Sequence, residues 1–285
     1  MAIKYDERFL VYTSDTRGFE ATGLKPLFDR LLRGDRPIIL FVHGRGKEPA
    51  KSLAGAGFFA GLGGVEGKAV AKLEAYGATV VMFSWDSQRS GFLFFGLTDR
   101  ERALGNTSEG ASRFGRVLGV FDQAIAEARQ AGITPPSVTL LAHSMGTIVL
   151  QRFVEINNGW RPSASGALFT NVILSSADAD NLGHAAWVEK IAAVERVFIT
   201  VNRNDDTLVR SHEGRQPTAV ALGLDPGELL SEAATYALIS INAHEIFTKR
   251  TDHQEISTFF AAAFEGREIP LGDPLPAPGR RFRLR

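Results

Sequence analysis

The feature that most constrains this chain is an abrupt change of pattern between residues 138 and 156. Residues 138–142 form a short apolar run with β-branched residues, which is typical of a fully buried strand. From Thr147 onward, apolar and polar residues recur with helical spacing. The residues between the two patterns are His143-Ser144-Met145-Gly146. The chain is therefore expected to turn sharply from a strand into a helix, with a serine at the corner.

The residues at this corner match a nucleophile elbow, whose usual form is G-x-S-x-G. Here the sequence is Ala142-His143-Ser144-Met145-Gly146, and alanine meets the need for a small first residue where strand and helix pass closely. The tight turn lifts the serine hydroxyl out of the backbone, and the first amides of the helix favour negative charge nearby. The alternative is a serine that only caps a helix, and the preceding strand argues against it.

Strand and helix patterns alternate along the rest of the chain. The predicted strands are residues 8–13, 37–42, 78–84, 138–142, 171–176, 197–201 and 236–242. The predicted helices are residues 24–33, 65–76, 111–131, 147–156, 181–193 and 252–264. This alternation predicts the α/β class, with a doubly wound, mostly parallel β-sheet and helices on both faces.

No repeat or linker divides the chain, so we expect a single domain over residues 1–265. Residues 48–67 and 87–105 each contain a Phe-bearing stretch flanked by glycine, which is either a lid or acyl pocket, or ordinary buried packing. Residues 202–228 are predicted to be mostly loop. Residues 266–285 are rich in Pro, Gly and Arg and are expected to form a poorly ordered tail.

A serine hydroxyl needs a base to activate it, and the base needs an acid to orient it. Side chains that follow parallel strands gather at one edge of the sheet. For the acid we favour Asp205, the first acidic residue after a turn that follows strand 197–201, with Asp206 close behind. Asp178 and Asp180 follow the preceding strand and are the main rivals. The alternative for each is a solvated carboxylate or a helix cap.

For the base we favour His244, because it follows the last predicted strand directly. His253 is its rival, at the start of the closing helix. His212 in the long loop and His184 in an alanine-rich helix are interpreted as structural or surface residues. Histidine is the side chain whose ordinary pKa suits proton exchange near neutral pH.

An oxyanion hole needs two backbone amides that face the developing negative charge. One is expected from Met145, directly after the serine. The other is expected from Arg45, in a glycine-containing loop that follows an earlier buried strand. His43, Gly44 and His143 are expected to line the same site.

Composition excludes several other chemistries. Basic and acidic residues number 32 each, so net charge does not indicate a nucleic-acid partner. The absence of cysteine excludes disulfides, thiolate metal sites and cysteine nucleophiles. No metal-ligand spacing or nucleotide-binding glycine motif is present, so no cofactor is expected. No membrane span and no signal peptide are recognised, which predicts a cytoplasmic protein and leaves the oligomeric state open.

Five motifs recur in spacing and order in the α/β-hydrolase superfamily: FVHG at 41–44, FSW at 83–85, AHSMG at 142–146, VILSSAD at 172–178 and NDDTL at 204–208. The chain resembles most closely the bacterial α/β-hydrolase family known as DUF900, over roughly residues 37–264. The resemblance implies an eight-stranded, mostly parallel sheet and a Ser144–His244–Asp205 triad. The substrates of that family are largely unknown, so the resemblance leaves the substrate open.

The function favoured by these residues is a serine hydrolase that cleaves a carboxylic ester, such as a lipid or other acyl ester. The expected partner is then a small-molecule ester or acyl substrate. One alternative is an acyltransferase, because the same acyl-enzyme can pass its acyl group to an alcohol or amine. A second alternative is a binding or scaffold protein that keeps the fold without turnover.

Overall fold

The computed structural model describes residues 10–13, 18–19, 23–45, 65–87, 99–160, 162, 166–191, 194–211, 215, 218–249, 251–271, 275 and 280–284. The Phe-bearing stretches of both predicted lid or insert segments lie outside these ranges.

Nine strands among the described residues form one sheet. They are β1 (Leu10–Thr13), β2 (Gly18–Phe19), β3 (Ile38–Val42), β4 (Thr79–Ser84), β5 (Val138–His143), β6 (Phe169–Ser175), β7 (Val194–Asn202), β8 (Ala234–Ile239) and β9 (Arg280–Arg283). Their order is β2-β1-β4-β3-β5-β6-β7-β8-β9, in which β3 to β9 run parallel and β1 is antiparallel to β4 and β2. The predicted mostly parallel sheet is confirmed, with one strand more than the family resemblance implied.

Helices cover both faces of this sheet. They are α1 (Leu24–Leu32), α2 (Val65–Glu74), α3 (Asp99–Gln130), α4 (Gly146–Ile156), α5 (His184–Val188), α6 (Asp206–Val209) and α7 (Gln254–Glu265), with a 3₁₀ turn at Ile246–Thr248. Successive strand residues point to opposite faces. Thus Leu40 packs in the core beneath α1, α3 and α4, while its neighbours Ile39 and Phe41 pack beneath α2 and α7. The strands of a sheet covered on both faces are nearly continuous apolar runs, as in the fully buried β3 and β4 here.

Two helix predictions differ from the structure in length. Helix α3 begins at Asp99 rather than at residue 111, because burial of Ala103 against the core outweighs the low helix propensity of the Gly-, Asn- and Ser-rich stretch that follows it. The helix predicted at 181–193 is reduced to the five residues of α5, which bury Trp187 and Val188. The loop predicted at 202–228 contains the short helix α6, and the strand predicted at 236–242 ends at Ile239.

The expectation of a poorly ordered tail is wrong for residues 280–284. Strand β9 pairs in parallel with β8, and Phe282 lies opposite Ala237. Phe282 and Leu284 are buried against the α7 side of the core. Arginines alternate with Phe282 in this stretch, and that alternation is typical of an edge strand with one buried face.

Candidate active site

Ser144 directly follows β5 in a left-handed backbone conformation, with φ of 52°. Such a conformation is rare for a residue with a side chain and costs about 1–3 kcal/mol. Its neighbours hold it in place. The N–H of Ser144 donates to the Ser175 carbonyl at 3.0 Å. The Ser144 carbonyl accepts from the Thr147 hydroxyl at 2.6 Å and from the Asp178 N–H at 3.2 Å. The chain thus turns sharply from strand into helix α4, as the elbow motif predicts.

Two glycines permit the close approach of neighbouring segments to Ser144. A Cβ atom on Gly146 would lie 2.4 Å from the carbonyl oxygen of Val42, at the end of β3. A Cβ atom on Gly44 would lie 2.7 Å from the Cβ and 3.2 Å from the Oγ of Ser144. Side chains do not tolerate contacts this short, so both positions need glycine. The loop that follows β3 therefore lies directly against the candidate nucleophile.

Asp205, after β7, and His244, after β8, are in contact. The Nδ1 atom of His244 lies 2.8 Å from one carboxylate oxygen of Asp205 and 3.1 Å from the other. Asp205 is fully buried and also accepts from the N–H groups of Thr207 and Leu208, which makes it the N-cap of α6. Asp205 therefore contacts the histidine, as expected of a triad acid, and at the same time caps a helix, which is the alternative role considered for it. An ionised Asp205 keeps a proton on Nδ1 of His244 and leaves Nε2 as an acceptor.

Two polar residues that sequence reasoning missed hold the loop of His244. The side-chain amide of Asn202, at the end of β7, donates to the carbonyls of Ile241 and Ala243 at 2.9 Å each. The hydroxyl of Ser176, which has a φ of 46°, donates to the carbonyl of His244 at 2.5 Å. Both residues interrupt an apolar run at the carboxyl end of a buried strand. That position is the signal by which the sequence could have identified them.

His143, the last residue of β5, packs beside His244 with 4.7 Å between the ring centroids. Its Nε2 atom lies 3.4 Å from the His244 carbonyl oxygen. Burial, and next the neighbouring His244, lowers the pKa of His143 well below its usual 6.5. A neutral His143 therefore adds no second charge beside His244 and is able to donate to its carbonyl.

His43 fixes the loop that carries Arg45. The Trp85 N–H donates to Nε2 of His43 at 3.2 Å, so the proton of a neutral ring resides on Nδ1. That Nδ1–H then donates to the Gly44 carbonyl oxygen, 2.7 Å away. The C=O and N–H of a trans peptide point in opposite directions. The N–H of Arg45, in the same peptide, therefore points away from His43.

The rival bases and one rival acid lie elsewhere. Asp206 is exposed at the start of α6. His253 is the partly exposed N-cap residue of α7. His184 is buried, and its Nε2 lies 2.7 Å from the Tyr236 hydroxyl. His212 lies outside the described residues.

The other rival acids are held by arginine. Asp178 is buried and accepts from Nε of Arg100 at 3.4 Å, and it also pairs with Arg215 and with the hydroxyl of Ser211. Asp180 pairs with the same Arg215. Arginine orients a carboxylate but does not exchange protons near neutral pH. This group of five residues is called the arginine cluster below.

A cavity of about 420 Å³ opens beside Ser144. Its volume falls in the range of small-molecule sites. The cavity brings together the elbow, the loop after β3, the loop of His244 and part of the arginine cluster. Its described lining consists of Phe41, His43, Gly44, Arg45, Ala69, Arg100, His143, Ser144, Met145, Asp178, Thr207, Leu208, Ser211, Ala243, His244, Glu245, Thr248 and Lys249.

Within the described ranges, no group of three or more His, Cys, Asp or Glu side chains is arranged to hold a metal ion. In that same part of the chain, no helix is long and apolar enough to cross a membrane.

Comparison with known families gives one match. The family model described as "Alpha/beta hydrolase of unknown function (DUF900)" matches residues 24–216, about two thirds of the chain. The matched region includes Ser144 and Asp205 and ends before His244. No protein with a curated description matches the chain.

Two solved structures are similar over most of their length. One is XC6422 from Xanthomonas campestris, titled a member of a/b serine hydrolase without lid. It is 15% identical, with 82% of each chain covered and a TM-score of 0.34. The other is a putative hydrolase from Agrobacterium vitis S4, 11% identical, covering 72% of this chain and 67% of that one with a TM-score of 0.26.

Proposed function

This chain belongs to the DUF900 family of alpha/beta hydrolases of unknown function, and from that premise we propose that it is a serine hydrolase that cleaves a carboxylic ester through an acyl-enzyme on Ser144. The observation that carries the proposal is the Asp205–His244 contact beside the cavity that Ser144 lines. Three strands of one sheet deliver the three side chains to the same edge, which is where parallel sheets bind ligands.

In the first half-reaction, the Ser144 oxygen attacks the ester carbonyl carbon while its proton passes to Nε2 of His244. The positive charge on the imidazolium is stabilised by Asp205 through Nδ1–H. The tetrahedral intermediate then collapses. Its bond to the alcohol oxygen breaks, and the alcohol leaves with the proton held by His244.

The negative oxygen of that intermediate needs donors that are already oriented. Met145 supplies one N–H, at the start of α4, where the helix dipole also favours negative charge. Arg45 is proposed to supply the other, because His43 holds the Gly44 carbonyl and the Arg45 N–H of the same peptide points the opposite way. Gly44 allows this peptide to approach the Ser144 hydroxyl.

In the second half-reaction, water takes the place of the alcohol. His244 accepts a proton from the water while the water oxygen attacks the acyl carbon. Collapse of the second intermediate breaks the bond to Ser144, whose oxygen recovers the proton from His244. The products are the carboxylic acid and the free enzyme.

A fluorophosphonate probe and p-nitrophenyl esters test the proposal. The purified protein is expected to be labelled and to hydrolyse the esters, and Ser144→Ala is expected to lose both while its thermal unfolding is unchanged. Ser112→Ala is the matched control, because Ser112 is exposed on α3 and its hydroxyl donates to the Ser108 carbonyl of the same helix. Turnover by Ser144→Ala at the wild-type rate would refute the proposal. A wild-type protein that is neither labelled nor active would indicate a binding protein instead.

A further inference from the structure

One wall of the cavity is built from a buried arginine. The side chain of Arg100 is only 4% exposed, yet the residue lines the cavity together with Ser144. Its Nε atom lies 3.4 Å from Asp178 and 3.2 Å from the hydroxyl of Ser211. Both of these neighbours also line the cavity. Arg100 is therefore a buried, hydrogen-bonded part of the cavity wall.

The carboxylate beside Arg100 is shared with a second arginine. Asp178 also accepts from Arg215, whose side chain is 3% exposed. The second acid of the cluster, Asp180, pairs with Arg215, is 41% exposed and is not part of the described lining. Within the arginine cluster, Asp178 and Asp180 thus balance Arg100 and Arg215, and of these four residues the described lining includes Arg100 and Asp178.

Counting arginine, lysine, aspartate and glutamate, the described lining of the cavity has one more cationic than anionic side chain. Among the described lining residues, Arg45, Arg100 and Lys249 are cationic, while Asp178 and Glu245 are anionic. Burial, as the largest cause, lowers the pKa of Arg100; the nearby Arg215 acts in the same direction, and Asp178 and Asp180 oppose it. The charge on Arg100 is thus less well stabilised than it is in water. An anion that enters the cavity relieves that deficit.

The arginine cluster also lies close to the reaction centre. The N–H of Asp178 donates to the carbonyl of Ser144 at 3.2 Å, so the cluster and the candidate nucleophile are joined through the backbone. A ligand group bound at Arg100 therefore lies in the same cavity as Ser144. The planar fork of arginine suits carboxylates in particular.

From these observations we propose that the wall at Arg100 binds an anionic group, a carboxylate, that is carried by the ester substrate. The inference rests on the proposed hydrolase function and deepens it, because it names the substrate class as esters with an acidic substituent. Arg100 is then the residue that determines specificity for the charged substrate.

Two matched pairs of esters test the proposal and locate the charge. Mono-p-nitrophenyl glutarate and its methyl ester differ by a carboxylate on the acyl side. Para-acetoxybenzoate and its methyl ester differ by a carboxylate on the alcohol side. In at least one pair, the wild-type kcat/KM is expected to be roughly 10- to 100-fold higher for the anionic ester, the usual worth of a charge-assisted hydrogen bond.

Arg100→Gln is expected to abolish most of this preference, so that kcat/KM falls roughly 10- to 100-fold further for the anionic ester than for its neutral partner. Arg100→Lys is expected to keep part of the preference, since the charge remains and the planar fork is lost. Arg267→Gln is the control. Arg267 is 59% exposed after α7, near the start of β5, whereas Ser144 follows its end. No preference in wild type, or an equal loss for both members of each pair in Arg100→Gln, would refute the proposal and leave Arg100 a structural role.

A binding measurement separates failure of this proposal from failure of the hydrolase proposal. Calorimetric titration of the Ser144→Ala protein with the four esters is expected to show tighter binding of the anionic member, lost in the Ser144→Ala, Arg100→Gln double variant. Arg100-dependent binding without any turnover in wild type would refute hydrolysis and support the anion site. Turnover with equal binding of charged and neutral esters would support hydrolysis and refute the anion site.

Discussion

Asp178 and Asp205 occupy equivalent places in the fold and have opposite surroundings. Each is a buried aspartate that follows the carboxyl end of a parallel strand, β6 for one and β7 for the other. Asp205 contacts a histidine and two backbone N–H groups. Asp178 contacts two arginines and a serine hydroxyl.

The difference shows that position at the sheet edge does not decide what a carboxylate does. A histidine gains and loses a proton near neutral pH, so an acid that orients it takes part in proton transfer. An arginine stays charged, so an acid that pairs with it fixes a charged surface. Neighbouring strands of one sheet thus place one aspartate against a histidine and the other against two arginines, and the proposed triad and the proposed anion site depend on these contacts.

The largest expected effect comes from removing the Asp205 carboxylate that contacts His244. Asp205→Asn is expected to lower kcat for p-nitrophenyl esters by a factor on the order of 10⁴, because the amide favours the wrong tautomer of His244. Stability is expected to change little, since asparagine is also a good N-cap for α6. Steady-state kinetics and denaturant unfolding measure both effects. A near wild-type kcat for Asp205→Asn, with a 10⁴-fold loss in Asp178→Asn, would move the acid to the earlier strand.

The next largest effect comes from removing the Asp178 carboxylate that contacts the arginines, and it is measured as a change in stability. Asp178→Asn is expected to lower the free energy of unfolding by about 3–5 kcal/mol, because it leaves two buried arginines without their shared carboxylate. Asp225→Asn is the control, since its pair with Arg203 is exposed and is worth at most about 1 kcal/mol. Urea unfolding measures the difference. Equal stability of the two variants would show that the arginine cluster is not electrostatically coupled.

The smallest expected effect is the pH dependence of stability that the buried His184 causes. His184 donates from Nδ1 to the Asn181 carbonyl and accepts the Tyr236 hydroxyl at Nε2, and burial lowers its pKa from 6.5. Its folded pKa is thus below the unfolded value. The contribution of neutral His184 to the free energy of unfolding is fully present above pH 6.5. It is lost as the pH falls through 6.5 towards the folded pKa, and the free energy then changes by at most about 1.4 kcal/mol per pH unit.

Urea midpoints at pH 7.5 and pH 5 measure this slope. The wild-type protein is expected to lose more stability between the two pH values than His184→Gln does. His253→Gln, which keeps the buried bond to Tyr236, is expected to behave like wild type. An identical pH dependence in all three proteins would show that His184 does not contribute.

The sequence predicted those elements whose pattern is set locally. The runs at residues 138–142 and 197–201 are mostly apolar because both faces of the sheet are covered, and this pattern is visible without any structure. The contact between the predicted acid and base is present, and their catalytic roles stay predictions. The sequence did not reveal the extent of α3 or the strand β9, since both depend on partners far along the chain.

By itself, the sequence determined the α/β class, the elbow at Ser144 and the family, because periodicity and short motifs are local properties of the chain. Only the tertiary structure showed that Asp205 contacts His244 whereas Asp178 contacts arginines. In the sequence, both aspartates follow a strand and cannot be told apart. They differ in the side chains that contact them, which come from distant segments of the chain. His244 and Arg100 are each far from their partner aspartate in the sequence, and packing of the sheet and helices brings each pair into contact.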